Sequence, residues 1–216
     1  MVRADKRRIT ACLLACCLFL GCGKLKQWAY EGINRDQWQQ PEKVVAALQL
    51  RPDDQVADLG AGGGYFTFIL ARAVGPTGKV YAVDIDPDMT ELIARRAKNQ
   101  SVDNVVTLVA RADDPMLPKS GVDLVFTSNT YHHIENRIAY FSKLREYLKP
   151  GGKVAIIDFD SRAWFESLFS HHTPSEAIKR EMEQAGYVLR QEHNFLERQS
   201  FLIFAAKPES RPQNPT

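Results

Sequence analysis

Four glycines fall within Val56-Ala57-Asp58-Leu59-Gly60-Ala61-Gly62-Gly63-Gly64-Tyr65, behind one apolar run and ahead of another. Glycine adopts positive φ without strain and lets a ligand approach the backbone closely. A plain strand-to-helix turn needs one glycine; four describe a loop shaped around a bound group. Dinucleotide sites use Gly-x-Gly-x-x-Gly and lay a pyrophosphate on the helix N-terminus. In that frame the third glycine would fall on Tyr65. The spacing present is Asp58-x-Gly60-x-Gly62-x-Gly64. A carboxylate two residues ahead of the first glycine repels a pyrophosphate and suits a cationic ligand.

Other reactive groups follow along the chain. Val80-Tyr81-Ala82-Val83-Asp84 ends in a carboxylate 20 residues after Gly64. Doubly wound folds place there the acid that accepts hydrogen bonds from ribose hydroxyls. Asp86, ahead of Pro87, reads as a helix N-cap. Ser128-Asn129-Thr130-Tyr131-His132-His133-Ile134 ends a later apolar run. An imidazole titrates near neutral pH and can act as general base. For each of His132 and His133, capping or packing stands beside that role. A second doublet, His171-His172, precedes Thr173-Pro174, which reads as a helix start. Adjacent histidines point apart, so each doublet offers one metal ligand at most, and no metal site is expected. All four cysteines (Cys12, Cys16, Cys17, Cys22) lie in the first 22 residues. The remaining chain therefore has no disulfide framework, cysteine zinc site or thiol nucleophile.

Positioning these groups requires strands and helices in alternation. Strand candidates are Gln55–Leu59, Lys79–Asp84, Val105–Ala110, Val122–Ser128 and Lys153–Phe159. Helices are expected over Tyr65–Val74, Asp88–Gln100 and Ile134–Leu148, the last with Ile134, Ile138, Phe141, Leu144 and Leu148 on one face. A helix over Ser175–Ala185 and strands Tyr187–Glu192 and Gln199–Ala206 close the chain. Short buried strands alternating with helices build a parallel sheet covered on both faces. The closing strand pair adds an antiparallel edge. Trp38, in the polar stretch Arg35–Pro41, reads as a packing anchor or as part of a lid. Phe159, Trp164 and Phe165 read as core or as the wall of an apolar pocket.

The glycine loop, Asp84, Ala112-Asp113, Asp123-Leu124-Val125-Phe126 and Leu148-Lys149-Pro150-Gly151-Gly152 together resemble the class I S-adenosylmethionine-dependent methyltransferases. The similarity is greatest to the small-molecule, "type 11" or quinone-biosynthesis-like group, and it runs from residue 41 to residue 159. It implies a Rossmann-like, doubly wound, seven-stranded and mainly parallel α/β sheet with an antiparallel edge strand. It also implies S-adenosylmethionine as cofactor, bound by Asp58, Gly60, Ala61, Gly62, Gly64, Asp84, Ile85, Ala112, Asp113 and Asn129. Asp114 competes with Asp113 for the place near the adenine amino group. The loop of Tyr131, His132 and His133 then faces the transferable methyl group and a small-molecule or lipid-like acceptor. Two other classes compete with this reading: a non-catalytic module that kept the cofactor loop, and a protein methyltransferase. The Asn/Asp-Pro-Pro-aromatic motif of amino-directed DNA methyltransferases is missing after the fourth strand.

Charge separates the N-terminus from the rest. The chain of 216 residues has 28 basic and 26 acidic side chains, for a net charge of +2. Its first 21 residues hold four basic and one acidic, leaving a balance of −1 for the remainder. That balance disfavours nucleic acid as a partner. Arg3–Arg8 precede a 12-residue apolar run, Ile9–Leu20, and then Gly21-Cys22. Twelve residues are short for a membrane span and suit a signal-peptide core. The ending resembles the bacterial lipoprotein box, with Leu20 bulkier than usual before the glycine. An uncleaved anchor and a misassigned start are the alternatives. The expected organisation is a signal peptide over 1–21, an arm or lid over 22–40, the catalytic domain over 41–207 and a disordered tail over 208–216. Membrane contact is expected through the N-terminal segment alone, at the cell envelope by way of lipidated Cys22. Without a functional signal the domain would be cytoplasmic.

Overall fold

The computed structural model describes residues 35–160 and 172–208. The signal segment, residues 22–34 of the arm, Trp164, Phe165, His171 and residues 209–216 lie outside the described residues.

Seven strands form one sheet: β1 (Gln55–Leu59), β2 (Lys79–Asp84), β3 (Val105–Val109), β4 (Val122–Ser128), β5 (Leu148–Phe159), β6 (Tyr187–His193) and β7 (Gln199–Ala206). Their order is β3-β2-β1-β4-β5-β7-β6. The first five are parallel to one another, and β7 runs antiparallel between β5 and the edge strand β6. This is the mixed Rossmann-like sheet expected, its antiparallel edge being the β7–β6 pair. The register aligns Leu59 with Val83 and Thr127, and Ser128 with Ile157. The carboxyl ends of β1, β2, β4 and β5 therefore lie in a row, at the point where the connections switch direction.

Both faces are covered because β1, β4 and β5 carry buried apolar residues pointing in both directions. On one face, Val56, Leu124, Phe126, Ala155 and Ile157 pack against Val44, Leu48, Phe66, Leu70 and Val74. These come from α2 (Pro41–Leu48) and α3 (Tyr65–Val74). Ile93 and Ala97 of α4 (Pro87–Asn99) extend that layer over Ala82 and Phe68. On the other face, Val125, Val154, Ile156 and Leu202 meet Phe141 and Leu144 of α5 (Arg137–Leu144) and Ile178 and Met182 of α6 (Ser175–Gln184). Asp86 caps α4 as its sequence implies, its side chain accepting from the Asp88 N–H at 2.9 Å. A short helix, α1 (Arg35–Gln39), precedes α2.

One expected helix is shorter than its spacing implies. Within Ile134–Leu148 only Arg137–Leu144 is α-helical and Arg145–Tyr147 is a 3₁₀ turn, while Leu148 already belongs to β5; a separate 3₁₀ turn, Tyr131–His133, precedes the stretch. Ile134 is extended, and Asn136 is left-handed with φ 48°, a conformation asparagine tolerates better than most residues. Ile138, expected on the buried face, is 40% exposed. Strand β5 also starts earlier than expected. Val122 pairs with Leu148 and Leu124 with Lys153, so Lys149-Pro150-Gly151-Gly152 bulges out opposite Asp123.

Candidate active site

The glycine loop leaves β1 and is held to the neighbouring strand. The Gly60 and Ala61 N–H groups both donate to the Val83 carbonyl, at 2.8 and 3.0 Å. Gly60 has φ 76°, and a Cβ there would lie 2.1 Å from Thr130 Oγ1 of the loop after β4. Conformation and close approach thus both require glycine at this position. Gly62 and Gly64 are also left-handed, with φ of 52° and 85°. The chain is thereby curled into a cradle before α3.

Asp84, at the end of β2, ties this cradle together. One carboxylate oxygen accepts the Gly62 N–H at 2.8 Å and the other the Asp86 N–H at 2.9 Å. A carboxylate offers about four acceptor positions, so two remain for the hydroxyls of a ribose. Ile85 beside it is 67% exposed, an apolar platform at the same strand end. The cradle, the acid and the platform fit the nucleoside of S-adenosylmethionine.

Asp58 is placed differently from the other loop residues. It is 3% exposed, on the α3 side of the sheet, and accepts a hydrogen bond from Thr67 Oγ1 at 2.6 Å. Burial pushes its carboxyl up to about 6, against the opposing pull of the Thr67 hydroxyl and of Arg35. It can act on a cationic ligand through the loop. Ala61 is buried too, whereas Ala112 and Asp113 lie in an exposed turn after β3. Asp114 is a brace: it accepts from the Tyr147 hydroxyl and the Met116 N–H, both at 2.8 Å, and pairs with Lys143 at 2.9 Å. The hydrogen bond from Lys143 lowers its carboxyl to about 2. Asp113 joins that brace through its backbone carbonyl alone, which accepts from Lys143 at 3.2 Å.

The N-terminal arm crosses the same end of the sheet. The Arg35 guanidinium lies 4.1 Å over the Tyr65 ring, and Tyr65 donates its hydroxyl to Asp36. Trp38 stacks on Phe159 at the end of β5, with ring centroids 5.8 Å apart. Gln39 is fully buried; its amide donates to Ser128 Oγ at 2.9 Å and to Gln199 Oε1 at 3.4 Å, and Gln199 in turn donates to Asn129. Asn129 is left-handed, φ 57°, and its N–H closes on the Ile157 carbonyl.

Beyond Asn129 the three residues expected to meet an acceptor separate. Tyr131 does not face a cleft. It is fully buried, stacks on Phe141 and donates its hydroxyl to Glu181 Oε2 at 2.7 Å. Burial and that carboxylate push its phenol well above the usual range. Arg137 grips the same Glu181 through both oxygens, at 2.7 and 2.9 Å. His132 and His133 do not point apart as adjacent residues were expected to; their ring centroids are 4.0 Å apart. His132 is largely buried, its Nδ1 2.7 Å from Asp158 Oδ1, while His133 is exposed. An open depression runs past both histidines, lined also by Glu135, Arg137 and Glu181. His172 of the second doublet lies before α6, which starts at Ser175 directly after Pro174.

Sequence reasoning missed Asp158, Glu181, Gln39 and Gln199. Only Asp158 carried a signal: a lone acid inside the apolar run Val154-Ala155-Ile156-Ile157-Asp158-Phe159. The other three sit in polar stretches where nothing marks them.

The family model described as "Methyltransferase domain" matches residues 50–198. The ubiquinone/menaquinone biosynthesis C-methyltransferase UbiE of Cupriavidus metallidurans is 32% identical over 123 residues, covering 56% of this chain and 49% of that protein. The chain thus spans about half the length of such relatives. A crystal structure of a SAM-dependent methyltransferase from Aquifex aeolicus superposes with a TM-score of 0.76 at 22% identity, over 84% of this chain and 97% of that one. Geranyl diphosphate C-methyltransferase from Streptomyces coelicolor, solved with S-adenosyl-L-homocysteine, gives 0.64 at 18% identity, over 81% and 80%.

Proposed function

Because the chain belongs to the methyltransferase-domain family, with S-adenosylmethionine as its cofactor, we propose that it methylates a small or lipid-like acceptor at the carboxyl ends of β1, β2 and β4. The observation that carries this reading is Asp84 holding the Gly62 N–H beside exposed Ile85, an arrangement matched to a nucleoside. The relatives named for ubiquinone/menaquinone and geranyl diphosphate methylation act on acceptors of that class.

Bound S-adenosylmethionine supplies a methyl group already activated on a sulfonium. The chain's task is therefore to position the acceptor and exclude water. Asp84, Ile85 and the glycine backbone hold the nucleoside, with Ala112 and Asp113 at its adenine and Asn129 at its other end. The arm, anchored by Trp38 and Gln39, covers the site. One of His132 and His133 contacts the acceptor, and Tyr131 frames them from the core through Glu181. An acceptor hydroxyl or acidic carbon would lose its proton to an imidazole nitrogen. The basic, apolar, Gly-Cys succession supports a further proposal, attachment of the domain to the cell envelope through Cys22.

Calorimetry with S-adenosylmethionine and S-adenosylhomocysteine, followed by transfer of labelled methyl to extracted quinone precursors and lipids, tests this function. Saturable binding of both with label in a small molecule is expected. Binding with no transfer would mean a non-catalytic module, and label found only in protein would mean a protein methyltransferase.

A further inference from the structure

His132, in the turn after β4, lies against a buried acid of β5. Asp158 stands on β5, fully buried, and its Oδ1 lies 2.7 Å from His132 Nδ1. Its Oδ2 is also buried and finds no hydrogen-bond partner among the described residues. A carboxylate taken out of water with one oxygen unsatisfied is costly unless it is tied to a proton donor or a positive charge. The imidazole is the group placed to supply either. An Nδ1–H directed at Asp158 leaves Nε2 as the basic nitrogen, on the opposite side of the ring.

We infer that Asp158 is the positioning residue of a His132–Asp158 base pair, and that the acceptor is a neutral X–H group, a hydroxyl or an acidic carbon. This rests on the methyl-transfer reading above. In the step itself the acceptor X–H bond breaks and its proton goes to His132 Nε2. The electron pair left on X forms the bond to the methyl carbon. The carbon–sulfur bond breaks with its pair remaining on sulfur, giving a neutral thioether. His132 becomes an imidazolium whose charge Asp158 neutralises at Nδ1, and Nε2 then releases the proton to solvent. An acceptor that reacts as a free anion or a neutral amine lone pair would gain nothing from such a pair.

Charged and titratable groups face His132 from several elements. Asp158 approaches from β5 and His133 from the same 3₁₀ turn, while Glu135, Arg137 and Glu181 line the depression alongside. Arg137 and Glu181 compensate one another through their paired hydrogen bonds. Asp158 is the carboxylate within hydrogen-bond distance of the His132 ring.

Nitrogen-15 NMR of the histidine rings in the full chain tests the pair without any acceptor. Resonances are assigned through His132→Gln and His133→Gln. In wild type, neutral His132 is expected as the Nδ1–H tautomer. In Asp158→Leu, which offers the ring no acceptor, that preference should be lost. An Nε2–H tautomer in wild type, or the same tautomer balance in the two proteins, would overturn the proposal. Should Asp158→Leu fail to fold, the wild-type tautomer decides alone. Calorimetric cofactor binding is read on the same samples. Loss of the tautomer result with binding intact refutes only the base pair, whereas absent binding refutes the underlying function.

Discussion

Asp58→Asn should change the pH dependence of stability in a way set chiefly by burial. The carboxyl moves from 3.8 to about 6 on folding, chiefly because ionisation inside the sheet is disfavoured. A folded-state pKa above the unfolded one means that the folded protein binds the proton more tightly. That contribution is fully present below pH 3.8 and is lost as pH rises through about 6. Roughly two units at 1.36 kcal/mol each give about 3 kcal/mol. Asparagine keeps an acceptor for the Thr67 hydroxyl and carries no charge, but its buried NH₂ group costs about 1–3 kcal/mol without a partner. At pH 4.5 wild type should therefore be the more stable protein. By pH 7.5 the difference should shrink or reverse, moving by about 2–3 kcal/mol between the two conditions. Urea denaturation of both proteins at both pH values measures this, because groups far from the site cancel in the difference. A gap that is the same at both pH values would mean that burial does not disfavour ionisation of Asp58.

Other expectations follow from the same geometry. Gly60→Ala should destabilise the fold by about 1–3 kcal/mol, since it strains a left-handed residue and drives a methyl into Thr130; a melting temperature equal to wild type would contradict this. Tyr131→Phe should cost about 1 kcal/mol through loss of the Glu181 hydrogen bond. Its cofactor affinity by calorimetry should be unchanged, and a matching fall in affinity would put Tyr131 in the site after all. Cys22→Ser should abolish fatty-acid labelling and move the chain from the membrane to the soluble fraction; equal labelling of both forms would end the lipoprotein reading.

The first strands and the cofactor loop were legible because each rests on local chemistry. Alternating apolar residues define β1, β2 and β4, and consecutive glycines have few uses besides a close backbone approach. The N-cap at Asp86 was legible for the same reason. Ile134–Leu148 reads as one helix because its apolar spacing is helical, while its backbone is extended at Ile134 and left-handed at Asn136, which the spacing does not reveal. Tyr131 looked like a site residue from its place after β4. Only the fold shows that its ring turns inward onto Phe141 and its hydroxyl meets an acid 50 residues away. Asp158 and Gln39 escaped notice because their partners are distant in sequence and no spacing rule connects them.

On the proposed reading, Asp84 and the glycine cradle hold S-adenosylmethionine. The decisive assay is isothermal titration of the purified chain with S-adenosylmethionine, beside Asp84→Ala. Wild type should bind saturably at one site. The variant, without acceptors for the ribose hydroxyls and without the bond to Gly62, should bind at least about tenfold more weakly, about 1.4 kcal/mol. Equal affinity in the two proteins, or no binding by wild type, would contradict it.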